Sequence, residues 1–189
     1  MKRNILVFAL CLVGCAAGPL PERSYYLLRA DPPQDLAPAP QEDAAGLGHV
    51  TIAAYLDRAG IVVQVGEHQV REARHHLWAE PLDRGVRSYL SDRIALRLGH
   101  ALASESEDAG PVRYRIDVGL EQFHGSLNGE TRLVARWSLR DLADDSLLQS
   151  QRFARTRPQS GDGYANLVKA QIALLDDLAE VIAEALRGI

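Results

Sequence analysis

Val112-Arg113-Tyr114-Arg115-Ile116-Asp117-Val118-Gly119-Leu120 is the stretch that decides the architecture. Apolar side chains occupy every second position, with Arg, Asp and Gly between them, the two-residue period of a strand with one buried face. Such a strand needs neighbours, and the downstream sequence supplies them. Asn128-Gly129 marks a tight turn, after which Leu133, Ala135, Trp137 and Leu139 alternate as a second strand. Asp144-Asp145-Ser146 turns the chain again into a strand from Leu147 to Arg157, which Pro158 ends.

Outward from this meander the period changes. Upstream, Leu82, Val86, Leu90, Ile94, Leu98 and Leu102 recur at four-residue steps, with Tyr89 and Ala101 on the same face. This predicts an amphipathic helix of about five turns, started near Pro81 and ended by the polar run Ser104 to Gly110. Downstream, Val168, Ile172, Leu175, Ala179, Ile182 and Leu186 step by three and four as a last long helix. In the N-terminal half, Ser24 to Arg29 reads as a strand, and Val50, Ile52, Ala54 and Leu56 alternate as another. After a turn over Asp57 to Gly60, Ile61 to Val65 is a third, and Gln69 to Ala73 is a hairpin continuation. The order β-β-β(β)-α-β-β-β-α, with hairpins on both sides of one crossover helix, predicts an α+β fold. Its sheet is mainly antiparallel, with two long helices packed on one face.

The chain starts Met1-Lys2-Arg3-Asn4, followed by an apolar run from Ile5 to Val13. That is the charged-then-apolar pattern of a secretory signal. As a helix the run rises only ~13 Å, too short to span a bilayer. It ends in Leu12-Val13-Gly14-Cys15, which resembles the bacterial lipobox. In a lipobox the Cys thiol takes a diacylglyceryl group, and cleavage before the Cys then frees an amine that is acylated, often with palmitate. The expected organisation is a signal peptide over 1–14, a lipidated tether over 15–23 starting at Cys15, and one domain over 24–189. Within that domain, Pro32, Pro33, Pro38 and Pro40 mark a Pro-rich loop over 30–48. Ala16, rather than Asp, after the Cys is permissive for sorting to the outer membrane.

Of the two cysteines, Cys11 leaves with the signal and Cys15 is consumed by lipid, so no catalytic thiol, disulfide or Cys-based metal site is expected. Loss of Lys2 and Arg3 takes the formal charge from −4 to −6. That acidic balance, without a basic run, argues against nucleic acid. His75-His76 lacks the further ligands and spacing that zinc needs, and reads as a solvated loop pair. No G-x-S-x-G elbow occurs, and Gly161-Asp162-Gly163 lacks the Lys of a phosphate loop. Arg84, Arg87, Arg93 and Arg97 read as the solvated face of the first helix, and Trp78 and Trp137 as core or sheet-edge aromatics. No cofactor, no metal and no enzyme activity are expected.

Four short motifs in register point to a family. Leu77-Trp78-Ala79-Glu80-Pro81-Leu82-Asp83, Gly60-Ile61-Val62-Val63-Gln64, Glu121-Gln122-Phe123-His124-Gly125 with Arg136-Trp137-Ser138-Leu139, and Ser160-Gly161-Asp162-Gly163-Tyr164 resemble segments of the PqiC-type ABC-type transport auxiliary lipoproteins. The likeness runs from about Tyr25 to Leu186. It implies an outer-membrane lipoprotein facing the periplasm that serves an MCE-type intermembrane lipid transport system. Its partners would be an MCE-domain protein (PqiB-like) and a multi-pass inner-membrane protein (PqiA-like), with ring-like self-association. No catalytic residues carry over; Trp78, Pro81 and Tyr164 are expected to shape the fold, while loops and sheet edges bind the partner. The alternative is a stand-alone envelope lipoprotein that chaperones or assembles lipid, lipopolysaccharide or outer-membrane components. An envelope hydrolase is a third reading, without a visible nucleophile arrangement.

Overall fold

A computed structural model describes residues 22–30, 35–40, 42–103, 112–126 and 129–189. Cys15 and Ala16 lie outside the described residues, as do the signal segment and most of the tether. Within the described residues the order is β1 (Ser24–Tyr26), β2 (Ala45–Ile52), β3 (Gly60–Gly66), β4 (Gln69–Trp78), α1 (Leu82–Leu98), β5 (Tyr114–Ser126), β6 (Glu130–Asp141), β7 (Ser146–Pro158) and α2 (Tyr164–Arg187). The seven strands form one mixed sheet in the order β1-β4-β3-β5-β6-β7, with β2 pairing β5 off that path. Both helices pack on one face, in the α+β arrangement expected.

The meander is the frame. β5, β6 and β7 pair antiparallel through long ladders, from Tyr114↔Asp141 to Gly125↔Thr131 and from Glu130↔Pro158 to Asp141↔Ser146. Tyr114, Ile116, Val118 and Leu120 turn inward as their alternation requires, with Leu133, Ala135, Trp137 and Leu139 opposite. A bulge between Leu120 and Gln122 resets the phase, so that Phe123 faces inward again. Against this face lie Val86, Leu90 and Ile94 of α1, and Leu174, Leu175, Leu178 and Ile182 of α2, all fully buried. α2 is the more central helix and carries the longer apolar stripe.

The N-terminal strands join by less predictable pairings. β3 and β4 make the expected hairpin, but β1 pairs β4 in parallel, and β2 pairs β5 in parallel from Ala45↔Tyr114 to Ile52↔Leu120. β2 starts at Ala45, inside the segment read as loop, and stops at Ile52, so Ala54 and Leu56 belong to the following turn. Gly46 explains why small residues occupy this strand. A Cβ there would meet Val112 Cγ1 at 3.1 Å and the Ala103 backbone oxygen at 3.2 Å. Close packing against β5 and the chain after α1 decides the strand, not β-propensity. α1 ends at Leu98, capped by Gly99 in the left-handed region with φ 78°, which leaves Leu102 beyond it.

Two arginines expected on a solvated face instead bind the helices together. Arg93 Nε donates to Asp176 Oδ1 at 2.6 Å, and Arg97 Nε donates to Glu180 while its Nη2 reaches the Asp176 backbone oxygen at 3.1 Å. Arg187, at the end of α2, donates to the Arg97 carbonyl at 3.0 Å, satisfying an acceptor that α1 leaves open at its C-terminus. The hydrogen bond from Arg97 holds the Glu180 carboxyl below the usual range. Arg87 is also engaged, with the Gly48 oxygen. Asp176→Ala is expected to destabilise the fold by about 1–3 kcal/mol, because Arg93 loses its acceptor while still partly desolvated and Arg97 keeps only Glu180 and the backbone oxygen. A shift in the urea midpoint checks this. Arg84→Ala, at an exposed position of the same helix, should move it by less than about 0.5 kcal/mol.

Candidate functional site

The three structural positions singled out in the sequence lie along one side of the domain, where β1, β4 and the helix starts meet. Trp78 ends β4 and is buried, its ring stacked on Phe123 with centroids 6.4 Å apart. Its backbone N–H donates to the Ala59 oxygen, and the next residue, Ala79, donates to the Tyr26 oxygen, each at 2.8 Å. Pro81 is the N-cap of α1 and gives its carbonyl to the Gly85 N–H at 3.1 Å. Its fixed φ suits a chain that leaves a strand at Trp78 and enters a helix at Leu82. Arg29 ties this corner to the segment after β1 by reaching Ser88 Oγ at 2.8 Å and Glu80 at 3.2 Å.

Tyr164 is the first residue of α2, entered through Gly163 at φ 94°, a backbone conformation that needs glycine. Its ring stacks on His76 with centroids 4.0 Å apart, and the other side of the interaction is Tyr26, whose hydroxyl lies 3.0 Å from His76 Nδ1. His75-His76 is therefore not a solvated loop pair. Both histidines sit in β4, half-buried, and His76 is held between a tyrosine of β1 and one of α2. The strand extends past Ala73 because it is paired on both sides, by β3 and by β1. Among the described residues no group of three or more His, Cys, Asp or Glu side chains is placed to hold a metal ion.

Sequence reading missed a second region, on the sheet face away from the helices. β5 pairs β2 only as far as Leu120 and β3 only from Gly125, so residues 121–124 lack a strand partner on that side. Tyr55, in the turn after β2, fills the gap. Its hydroxyl donates to the Glu121 oxygen at 3.3 Å and takes a hydrogen bond from the Phe123 backbone, a side chain doing the work of a strand rung. Burial pushes its phenol up to about 12, with the Phe123 bond opposing. Beside it stands His124, 6% exposed, with its ring 6.1 Å from that of Tyr55. Burial pushes this imidazole below its ordinary value, and the charge of Arg132 acts in the same direction.

The free edges are the third element. β1 and β7 close the two ends of the strand path. Tyr25 and Leu27 are exposed at the first, and Leu147 and Leu148 at the second. β7 is tied down on its inner face, where Arg157 binds both oxygens of Asp177 at 2.7 and 2.9 Å and Arg155 joins them. Burial would raise the Asp177 carboxyl, but the hydrogen bonds and charge of these arginines hold it below the usual range.

A scan against known families matches residues 25–183 to the ABC-type transport auxiliary lipoprotein component. The chain belongs to that family. The intermembrane transport lipoprotein PqiC of Escherichia coli (strain K12) is 26% identical over 190 residues, covering 100% of this chain and 98% of its own. Its counterpart in Shigella flexneri matches to the same extent. Among solved structures, a crystal structure of an uncharacterized protein covers 87% of this chain and 99% of its own at 26% identity, with a TM-score of 0.74. A protein from Xanthomonas campestris, 16% identical with a TM-score of 0.65 over 86% of this chain and 95% of its own, shares the fold. Auxiliary transport lipoproteins are not an enzyme family. No helix among the described residues is long and apolar enough to cross a membrane.

Proposed function

We propose that the protein is the lipid-anchored subunit of a Pqi-type intermembrane lipid transport system. It is fixed to the outer membrane through Cys15, with Ala16 permitting that sorting, and acts as a non-enzymatic docking component on the periplasmic side. The observation that carries this reading is likeness over the whole length to the intermembrane transport lipoprotein PqiC, within a family of auxiliary transport lipoproteins. The partners in this reading are an MCE-domain protein (PqiB-like) and a multi-pass inner-membrane protein (PqiA-like). The exposed apolar residues at the β1 and β7 edges support a docking role, because exposed apolar side chains beside unpaired strand edges are suited to protein contacts. Cross-linking in cells, followed by affinity purification of the full-length protein from membranes, tests it. Recovery of an MCE-domain protein is the expected result, and its absence from cross-linked material would overturn the reading.

A further inference from the structure

Two hollows on the sheet face away from the helices, of about 330 and 470 Å³, both take Gln64, His124 and Arg132 as walls. They are parts of one concavity at the place where β5 lacks a strand partner, and their volumes fall in the range of small-ligand sites. The register explains what converges there. His124 of β5 is directly opposite Arg132 of β6, and Arg132 is directly opposite Thr156 of β7, which also lines the smaller hollow. Directly opposed residues on neighbouring strands project to the same face. Three donor-bearing side chains from three strands therefore stand in one row, with the Gln64 amide of β3 beside them.

The charge state of this row separates it from its surroundings. On the same three strands Arg115 pairs with Asp117, Arg136 and Arg152 with Glu121, and Arg140 with Asp145. Arg132 has no ion-pair partner among the described residues, although it is exposed and stands over the hollow. Of the carboxylates at the rim, Glu121 is committed to two arginines, and Glu67 is 89% exposed beside His68. Glu130 gives its backbone oxygen to Ser126 and Gln159. His124 is more than nine-tenths buried, it lines both hollows, and its Nδ1 is enclosed without a hydrogen-bond partner. A guanidinium without an ion-pair partner, an imidazole and a hydroxyl in one row offer the charge and the donors that an oxyanion accepts from.

We propose that this concavity is a binding site for a phosphate group, held by Arg132 with His124 and Thr156 as further donors. The phosphate has two sources, the free ion or the headgroup of an anionic phospholipid. The test follows the His124 imidazole by NMR in full-length protein labelled at histidine and kept in nonionic detergent, the signal being assigned by its loss in His124→Gln. Titration with inorganic phosphate, against sodium chloride at equal ionic strength, is one arm; mixed micelles with phosphatidylglycerol, against phosphatidylcholine, are the other. A saturable shift in the first arm is expected for the free ion, and a shift confined to the second assigns a lipid headgroup. Arg132→Gln, an exposed change that leaves the circular dichroism spectrum intact, should weaken the response about tenfold or more. Arg140→Gln should leave it unchanged. No saturable shift in either arm, or an undiminished one in Arg132→Gln, would overturn the proposal.

Discussion

Gly60→Ala should unfold or nearly unfold the domain, at a cost of about 3 kcal/mol or more, although it adds a single carbon. The Cβ would stand 2.2 Å from the backbone oxygen of Ala73 and 2.5 Å from Glu72 Cγ. The first contact is with main chain in the paired strand, so no rotamer change relieves it, and β3 and β4 must part. Parting them breaks the bond from the Gly60 N–H to Glu72 Oε1 at 2.9 Å and the one from Trp78 to Ala59. It also loosens Trp78 from Phe123. Gly66→Ala is the matched control at the other end of β3, because its Cβ meets nothing nearer than 3.5 Å. That change should stay within about 1 kcal/mol. Urea denaturation of the two variants side by side separates close approach from the general cost of replacing glycine in a strand.

Cys15→Ser should move the protein wholly from the membrane fraction to the soluble fraction and abolish incorporation of labelled palmitate. The size of this effect follows from chain count. One acyl chain of about fourteen carbons holds a protein to a bilayer only marginally, whereas the two or three chains of a bacterial lipoprotein make an anchor that does not detach. A hydroxyl in place of the thiol cannot form the thioether, so the whole anchor is lost rather than weakened. No helix among the described residues can substitute for it. A Cys15→Ser protein that still sediments with membranes and still takes up palmitate would refute lipidation at this position.

The parts of this fold legible in the sequence are those whose burial is one-sided and regular. The meander and α2 declare themselves through Ile116, Val118, Trp137, Leu175 and Ile182, because each sheet or helix face meets either core or solvent. β4 does so only as far as Ala73, since Arg74-His75-His76 has no apolar stripe and continues the strand through pairing on both sides. The start of β2 was hidden for the opposite reason. Ala45, Gly46 and Gly48 are strand residues because only small side chains fit there, and local propensity argues against them. The interhelical role of Arg93 and Arg97 depends on where α2 lands, which no local pattern states.

The site residues divide in the same way. Trp78, Pro81 and Tyr164 stand at the ends of elements, where motifs concentrate, and their positions follow from strand end, helix cap and helix start. Tyr55 and Arg132 stand in no motif. Their meaning comes from a gap in pairing along β5 and from cross-strand register, both properties of the assembled sheet.

β5 also sets the order in which this protein can become a protein. Among the described residues the one named strand that β2 pairs with is β5, and β1, β3 and β4 by themselves make a three-stranded ribbon. Such a ribbon lacks the buried face that β5, β6 and α2 supply. The helix that fills the core, α2, is the last element of the chain. During N-to-C appearance at a ribosome or a translocation channel, the first half therefore lacks its central strand until Tyr114 to Ser126 emerges, and the core closes only when Leu186 is free. A long wait in an open, thread-like state is a hazard in a crowded cytosol, but it is also the state in which a chain passes through a narrow pore.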